Sequence, residues 1–102
     1  MKYMIMGARN LVPMEPAMGV ALFQAAKQWM EARLADGTHD LHYVDIETGA
    51  GFTITNANSH EEVMDGIYDY PPYPFFDWEV TPLCDWSHAY DKTIELFQKL
   101  GG

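Results

Sequence analysis

Cys84 is the only cysteine in the chain. No disulfide can close within one copy, and no multi-thiolate metal centre can form from it. Positive charge is equally scarce: 6 Lys and Arg stand against 15 Asp and Glu, for a formal net charge of −9. Such a surface repels phosphate backbones and anionic lipid, so nucleic acid and membranes are not expected partners. No run approaches the ~18 apolar residues of a membrane helix. Met1 to Met6 has no basic region leading into a long apolar stretch and does not read as a signal peptide. The expected location is the cytoplasm. A P-loop, a dinucleotide fingerprint and a Ser/His/Asp nucleophile set are all missing, so no cofactor is expected. His39 and His42 lie three apart, a spacing that points side chains to opposite faces of a strand, and no metal site is expected.

What is present is apolar and aromatic. Of 102 residues 48% are hydrophobic and 14% aromatic, which fits one domain over 1–102 with more apolar surface than so short a chain can bury alone. A second copy is the expected cover, as a homodimer or a higher oligomer built from it.

Tyr3-Met4-Ile5-Met6 before Gly7 reads as a buried first strand. Glu15-Pro16 opens a helix, with proline where its missing N–H costs nothing, and Gly37 follows its end. Val20, Phe23, Met30 and Leu34 make its inner stripe. Leu41 to Ile46 and Phe52 to Thr55 read as two strands joined by a glycine-containing hairpin. Ser59 with Glu62 forms a capping box that starts a second helix, which Pro71-Pro72 ends. Phe75 to Leu83 alternates, with Phe76, Trp78 and Val80 on one face and Asp77, Glu79 and Thr81 on the other. Trp86 to Leu100 reads as an amphipathic terminal helix. The order predicts an α+β, ferredoxin-like β-α-β-β-α-β core over 1–83, with an extra C-terminal helix over 86–100.

The most specific segment is Pro71-Pro72-Tyr73-Pro74-Phe75-Phe76-Asp77-Trp78-Glu79-Val80, followed by Leu83-Cys84. With Glu15-Pro16, Gly37-Thr38 and Ser59-x-Glu61, it resembles the muconolactone isomerase family from Glu15 to Cys84. The resemblance implies a dimeric α/β-barrel and a cofactor-free activity: moving a proton across an unsaturated lactone to shift its double bond. In that alignment the family's first-helix Glu falls at Ala26, and its third-strand Tyr and Asn fall at Gly49 and Gly51. The family Lys is kept as Lys27.

If the hairpin turns near Thr48, Asp45 faces Gly51, Tyr43 faces Thr53 and Leu41 faces Thr55. Tyr43, Asp45, Thr53 and Thr55 then line a pocket, with Lys27 reaching in from the helix and space left at Gly51. Asp45 is the expected base, and Lys27 or Tyr43 the donor to a carbonyl; a Lys27–Asp45 ion pair or a solvated Asp45 is the plainer alternative. The other face would carry His42, Val44, Ile46, Phe52 and Ile54. His42 is either an acid/base group or an interface histidine. Phe23 and Ala26 are expected to border a ligand. Arg9 could hold an anionic ligand or stand solvated, and Trp29, Trp78 and Trp86 could stack on an aromatic one. The expected function is a cofactor-independent isomerase or cyclase that moves a proton on a small unsaturated lactone or other carbonyl compound. A non-catalytic small-molecule-binding protein and a cofactor-free monooxygenase of the same broad fold are the alternatives.

Overall fold

The computed structural model describes residues 1–10 and 12–101. The elements run β1 (Lys2–Arg9), α1 (Pro16–Ala35), β2 (His39–Val44), β3 (Gly51–Asn56), α2 (His60–Asp69), β4 (Phe76–Leu83) and α3 (Trp86–Gly101), with one 3₁₀ turn at Tyr73–Phe75 before β4. Every strand pair is antiparallel, and the sheet order is β2-β3-β1-β4. Two split β-α-β units give that order when each helix crosses over a neighbouring strand. The architecture is the expected ferredoxin-like α+β sheet with a further C-terminal helix.

Local chemistry sets the boundaries. Pro16 occupies the first turn of α1, and Gly37 beyond its end takes a positive φ of 82°. Ser59 caps α2 by accepting the Glu62 N–H at 3.2 Å, while the Glu62 carboxylate accepts the Asn58 N–H at 2.5 Å. Pro71 and Pro72 stop α2, and the turn they begin feeds β4.

Strand alternation divides the sheet. Tyr3, Ile5 and Gly7 of β1 share a face with Thr53 and Thr55 of β3 and Trp78 of β4, by their pairings. There Tyr3, Ile5, Ala57 and Val63 are buried, with Ile67 and Trp78 packed against them. The Tyr3 hydroxyl lies 2.8 Å from His60 Nδ1 and ties β1 to α2. The reverse face carries Met4, Met6, Leu41, Tyr43, Phe52 and Ile54. None of these is buried, and Tyr43 is 68% exposed.

The β2–β3 hairpin differs from expectation by one residue. Val44 faces Gly51, Tyr43 faces Phe52, His42 faces Thr53 and Leu41 faces Ile54. The cause is the turn. Asp45 Oδ1 accepts the Glu47 N–H at 2.8 Å, an Asx-type bond that takes Asp45 out of the strand. The loop closes with Asp45 N–H on the Ala50 carbonyl at 2.8 Å, and Gly49 supplies a φ of 76°. β2 therefore ends at Val44, and Ile46 stands 99% exposed in the turn. Because side chains alternate with period two, one step of register exchanges the two faces of β2. His42 moves to the helix side and Tyr43 to the reverse side. A further irregularity between His39 and Leu41 sets His39 opposite Thr55, so His39 and His42 share a face despite their odd spacing.

α3 stands apart from this body. Trp86, Tyr90, Ile94, Phe97 and Leu100 are all at least 55% exposed. The radius of gyration is 17.4 Å, against ~13 Å for a compact 100-residue chain. Among the described residues no helix is long and apolar enough to cross a membrane.

Candidate functional site

A cavity of about 110 Å³ opens between α1, α2 and the sheet, on the scale of the ~150 Å³ space that holds one benzene ring. Its wall on the sheet side is polar: His42, Thr53, His39 and Thr55, with Gly7 and Gly51 at its end. Phe76 and Trp78 of β4 continue the sheet wall as aromatic surface, and Trp29 of α1 with Tyr70 at the end of α2 faces them. The rings brace one another: Trp29 and Tyr70 lie 5.2 Å apart, Tyr70 and Trp78 5.7 Å, and Phe76 and Trp78 5.6 Å between centroids. The first two pairs pack edge to face and the third is tilted, which together fix the walls. A Cβ on Gly7 would meet Trp78 Cζ3 at 2.8 Å, so only glycine lets the indole lie against β1.

Both polar pairs come from the β2–β3 register. His42 Nδ1 lies 2.7 Å from Thr53 Oγ1, and His39 Nδ1 lies 2.9 Å from Thr55 Oγ1. Thr53 and Thr55 are 7% and 4% exposed. Burial pushes both imidazoles below their ordinary pKa, since a charged ring loses its hydration there. Arg33 and His42 lower His39 further, while Asp36 and the Thr38 backbone oppose them, and the Phe52 backbone opposes the shift at His42. Both rings are thus neutral at pH 7, able to accept or give a proton. Among the described residues no buried side-chain nitrogen or oxygen lacks a partner. Neither Nε2 has a hydrogen-bond partner among the described residues, so each keeps some access, and both rings line the cavity.

One ionic cluster guards the α1–α2 side. The Asp69 carboxylate accepts from Trp29 Nε1 at 3.0 Å and from Arg33 at 2.5 Å, and the Arg33 guanidinium lies 4.0 Å from the Trp29 ring centroid. These contacts hold Trp29 in place across two helices. Burial also raises the Tyr70 phenol, against the opposing pull of Arg9.

Of the residues expected at a site, His42, Gly51, Thr53 and Thr55 meet in this cavity. Phe23 and Arg9 line a neighbouring recess that shares Phe76, with the Arg9 guanidinium 5.2 Å from the Phe23 ring centroid. Ala26 is a buried residue of α1 but is not among the cavity walls. The expected placement of Asp45, Tyr43 and Lys27 in the pocket does not hold. Asp45 is exposed in the hairpin turn, its carboxyl held below its usual range by the Glu47 N–H and by Thr48. Tyr43 lies on the reverse face by the register, and Lys27 is exposed on α1 away from the cavity walls. Trp29 and Trp78 line the cavity, whereas Trp86 stands on α3. Sequence reasoning missed His39, because a bulge two residues into a strand leaves no mark in hydrophobic periodicity. It also missed Arg33 and Tyr70. Among the described residues no group of three or more metal-ligating side chains gathers.

The sheet order and the two covering helices define a ferredoxin-like fold, with a cavity on its helix side. The crystal structure of a muconolactone isomerase shares that fold, with a TM-score of 0.75 over 83% of this chain and 90% of that one, at 23% sequence identity. No protein-family model and no curated protein matches the chain.

Proposed function

We propose that this protein is a cofactor-independent isomerase or cyclase that moves a proton on a small, flat, unsaturated carbonyl compound. The observation that carries the reading is His42, a neutral imidazole bonded to buried Thr53, with its Nε2 open to an aromatic cavity. In the tautomer whose Nδ1–H donates to Thr53, the lone pair sits on Nε2. That nitrogen takes a proton from the carbon next to the conjugated system: the C–H bond breaks, N–H forms, and the electron pair moves into a dienolate. Return of the proton at the far carbon restores the neutral ring and shifts the double bond. A general base is most effective when its pKa lies near the working pH, which a desolvated histidine meets better than an exposed aspartate. Thr53 has no other acceptor for its hydroxyl proton among the described residues, so it can donate to the enolate oxygen. The likeness to muconolactone isomerase supports a lactone or related carbonyl as the substrate class.

The working unit in this reading is a cytoplasmic homodimer. The apolar reverse face of the sheet and the exposed stripe of α3 are the surfaces it would cover. The test is incorporation of deuterium from heavy water into an unsaturated γ-butenolide, followed by NMR. Protein-dependent exchange supports the reading. Binding without exchange favours a non-catalytic ligand-binding protein, and oxygen uptake with a hydroquinone favours a cofactor-free monooxygenase.

A further inference from the structure

His39 differs from His42 in one respect that bears on ligand choice. Its partner, Thr55 Oγ1, also lies 3.2 Å from the Thr38 carbonyl oxygen. A hydroxyl has one proton, and a carbonyl can only accept. If Thr55 donates to Thr38, His39 Nδ1–H donates to Thr55 Oγ1, and two hydrogen bonds are made. If Thr55 instead donates to Nδ1, only one of these two bonds is made. Buried polar groups are paired in the great majority of folded proteins, which favours the arrangement that makes both. The first arrangement prevails, and it leaves Nε2 of His39 as a bare acceptor. His39 is only 7% exposed and its ring centroid lies 5.6 Å from that of Trp29, so the ring cannot swing out to solvent without breaking those contacts.

We propose that His39 Nε2 is a fixed hydrogen-bond acceptor that selects ring compounds bearing a hydroxyl, phenolic or enolic, whose O–H it receives inside the cavity. This deepens the reading of the cavity as a ligand site and rests on it. The substrate class narrows to a hydroxylated ring, with its carbonyl end toward His42 and its hydroxyl toward His39. The aromatic walls take the ring faces and edges. Arg33, the nearest cation, is already bonded to Asp69, so a neutral hydroxyl suits the site better than a carboxylate. His39 is here a binding residue; no bond of the ligand need break on it.

The experiment measures binding of para-cresol and of its methyl ether by amide chemical-shift titration. The ether keeps the ring and the oxygen and loses the donor. The intact protein should bind the phenol about tenfold tighter, the worth of one hydrogen bond made to an otherwise unpaired acceptor. Thr55→Val removes the anchor of Nδ1 and should shrink the preference severalfold. His39→Phe should abolish it. If His39→Phe does not fold, long-range proton–nitrogen NMR of the intact protein decides: a protonated Nδ1 with a bare Nε2 is expected. Equal binding of phenol and ether, binding of neither, or a protonated Nε2 overturns the proposal. Absence of deuterium exchange would instead count against the proton-transfer reading and leave the phenol preference intact.

Discussion

Replacing Thr53 by valine removes one hydroxyl at a position 7% exposed, with little change of shape. The structure gives that hydroxyl one side-chain task, the 2.7 Å bond to His42 Nδ1. Loss of a net hydrogen bond costs about 1 kcal/mol, and leaving the imidazole nitrogen unpaired costs about 1–3 kcal/mol more if no water reaches it. His42 is only half-buried, so water recovers part of the second cost. The added methyl group returns a few tenths to about 0.8 kcal/mol by burial. The expected net loss is therefore about 1–2 kcal/mol, with the denaturant midpoint lowered and the slope unchanged. The His42 titration, followed by NMR, should shift in the same variant. Tyr43→Phe provides the contrast: at 68% exposure on the reverse face it should change stability by less than about 0.5 kcal/mol. If Thr53→Val changes neither stability nor the His42 titration while Tyr43→Phe changes both, the register derived from the hairpin is wrong.

Gly7→Ala places a methyl group 2.8 Å from the Trp78 ring. It should cost about 1–3 kcal/mol in chemical denaturation and lower the cavity's affinity for any ring ligand. Protonation is disfavoured at His39 and His42 in the folded state, so the unfolded chain binds more protons between the folded pKa values and 6.5. Their contribution to stability is full above about pH 6.5 and is lost as the pH falls through the folded values, which thermal melts from pH 7.5 to 5 should record. Ile94→Asp with Phe97→Asp, on the exposed stripe of α3, should convert a dimer into monomer in light scattering if α3 lies in the subunit contact.

The fold was legible because its punctuation is local. Pro16, Gly37, the Ser59–Glu62 box and the Pro71-Pro72 pair each mark a boundary within one or two residues of where it falls. The alternation in β4 also placed Phe76 and Trp78 on one face correctly. The site was less legible because it depends on parity. One Asx bond at Asp45 shortens β2 and exchanges its faces, and one irregularity near His39 restores a histidine to the face it should have left. Thr53 and Thr55 fall on the cavity side, as expected from the alternation of β3. Asp45 and Tyr43 were misplaced because β2 was read on to Ile46, past its end at Val44. Trp29 and Tyr70 come together only through the docking of α1 on α2, which no single stretch of sequence encodes.

The most direct test of the account compares solvent-deuterium exchange into a γ-butenolide by the intact protein, His42→Gln, Asp45→Asn and Tyr43→Phe. The structure-based reading predicts exchange in the intact protein, loss of at least about a hundredfold in His42→Gln, in line with removal of a general base, and near-full rates in the other two. Exchange retained in His42→Gln and abolished in Asp45→Asn would contradict it, returning the chemistry to the hairpin turn.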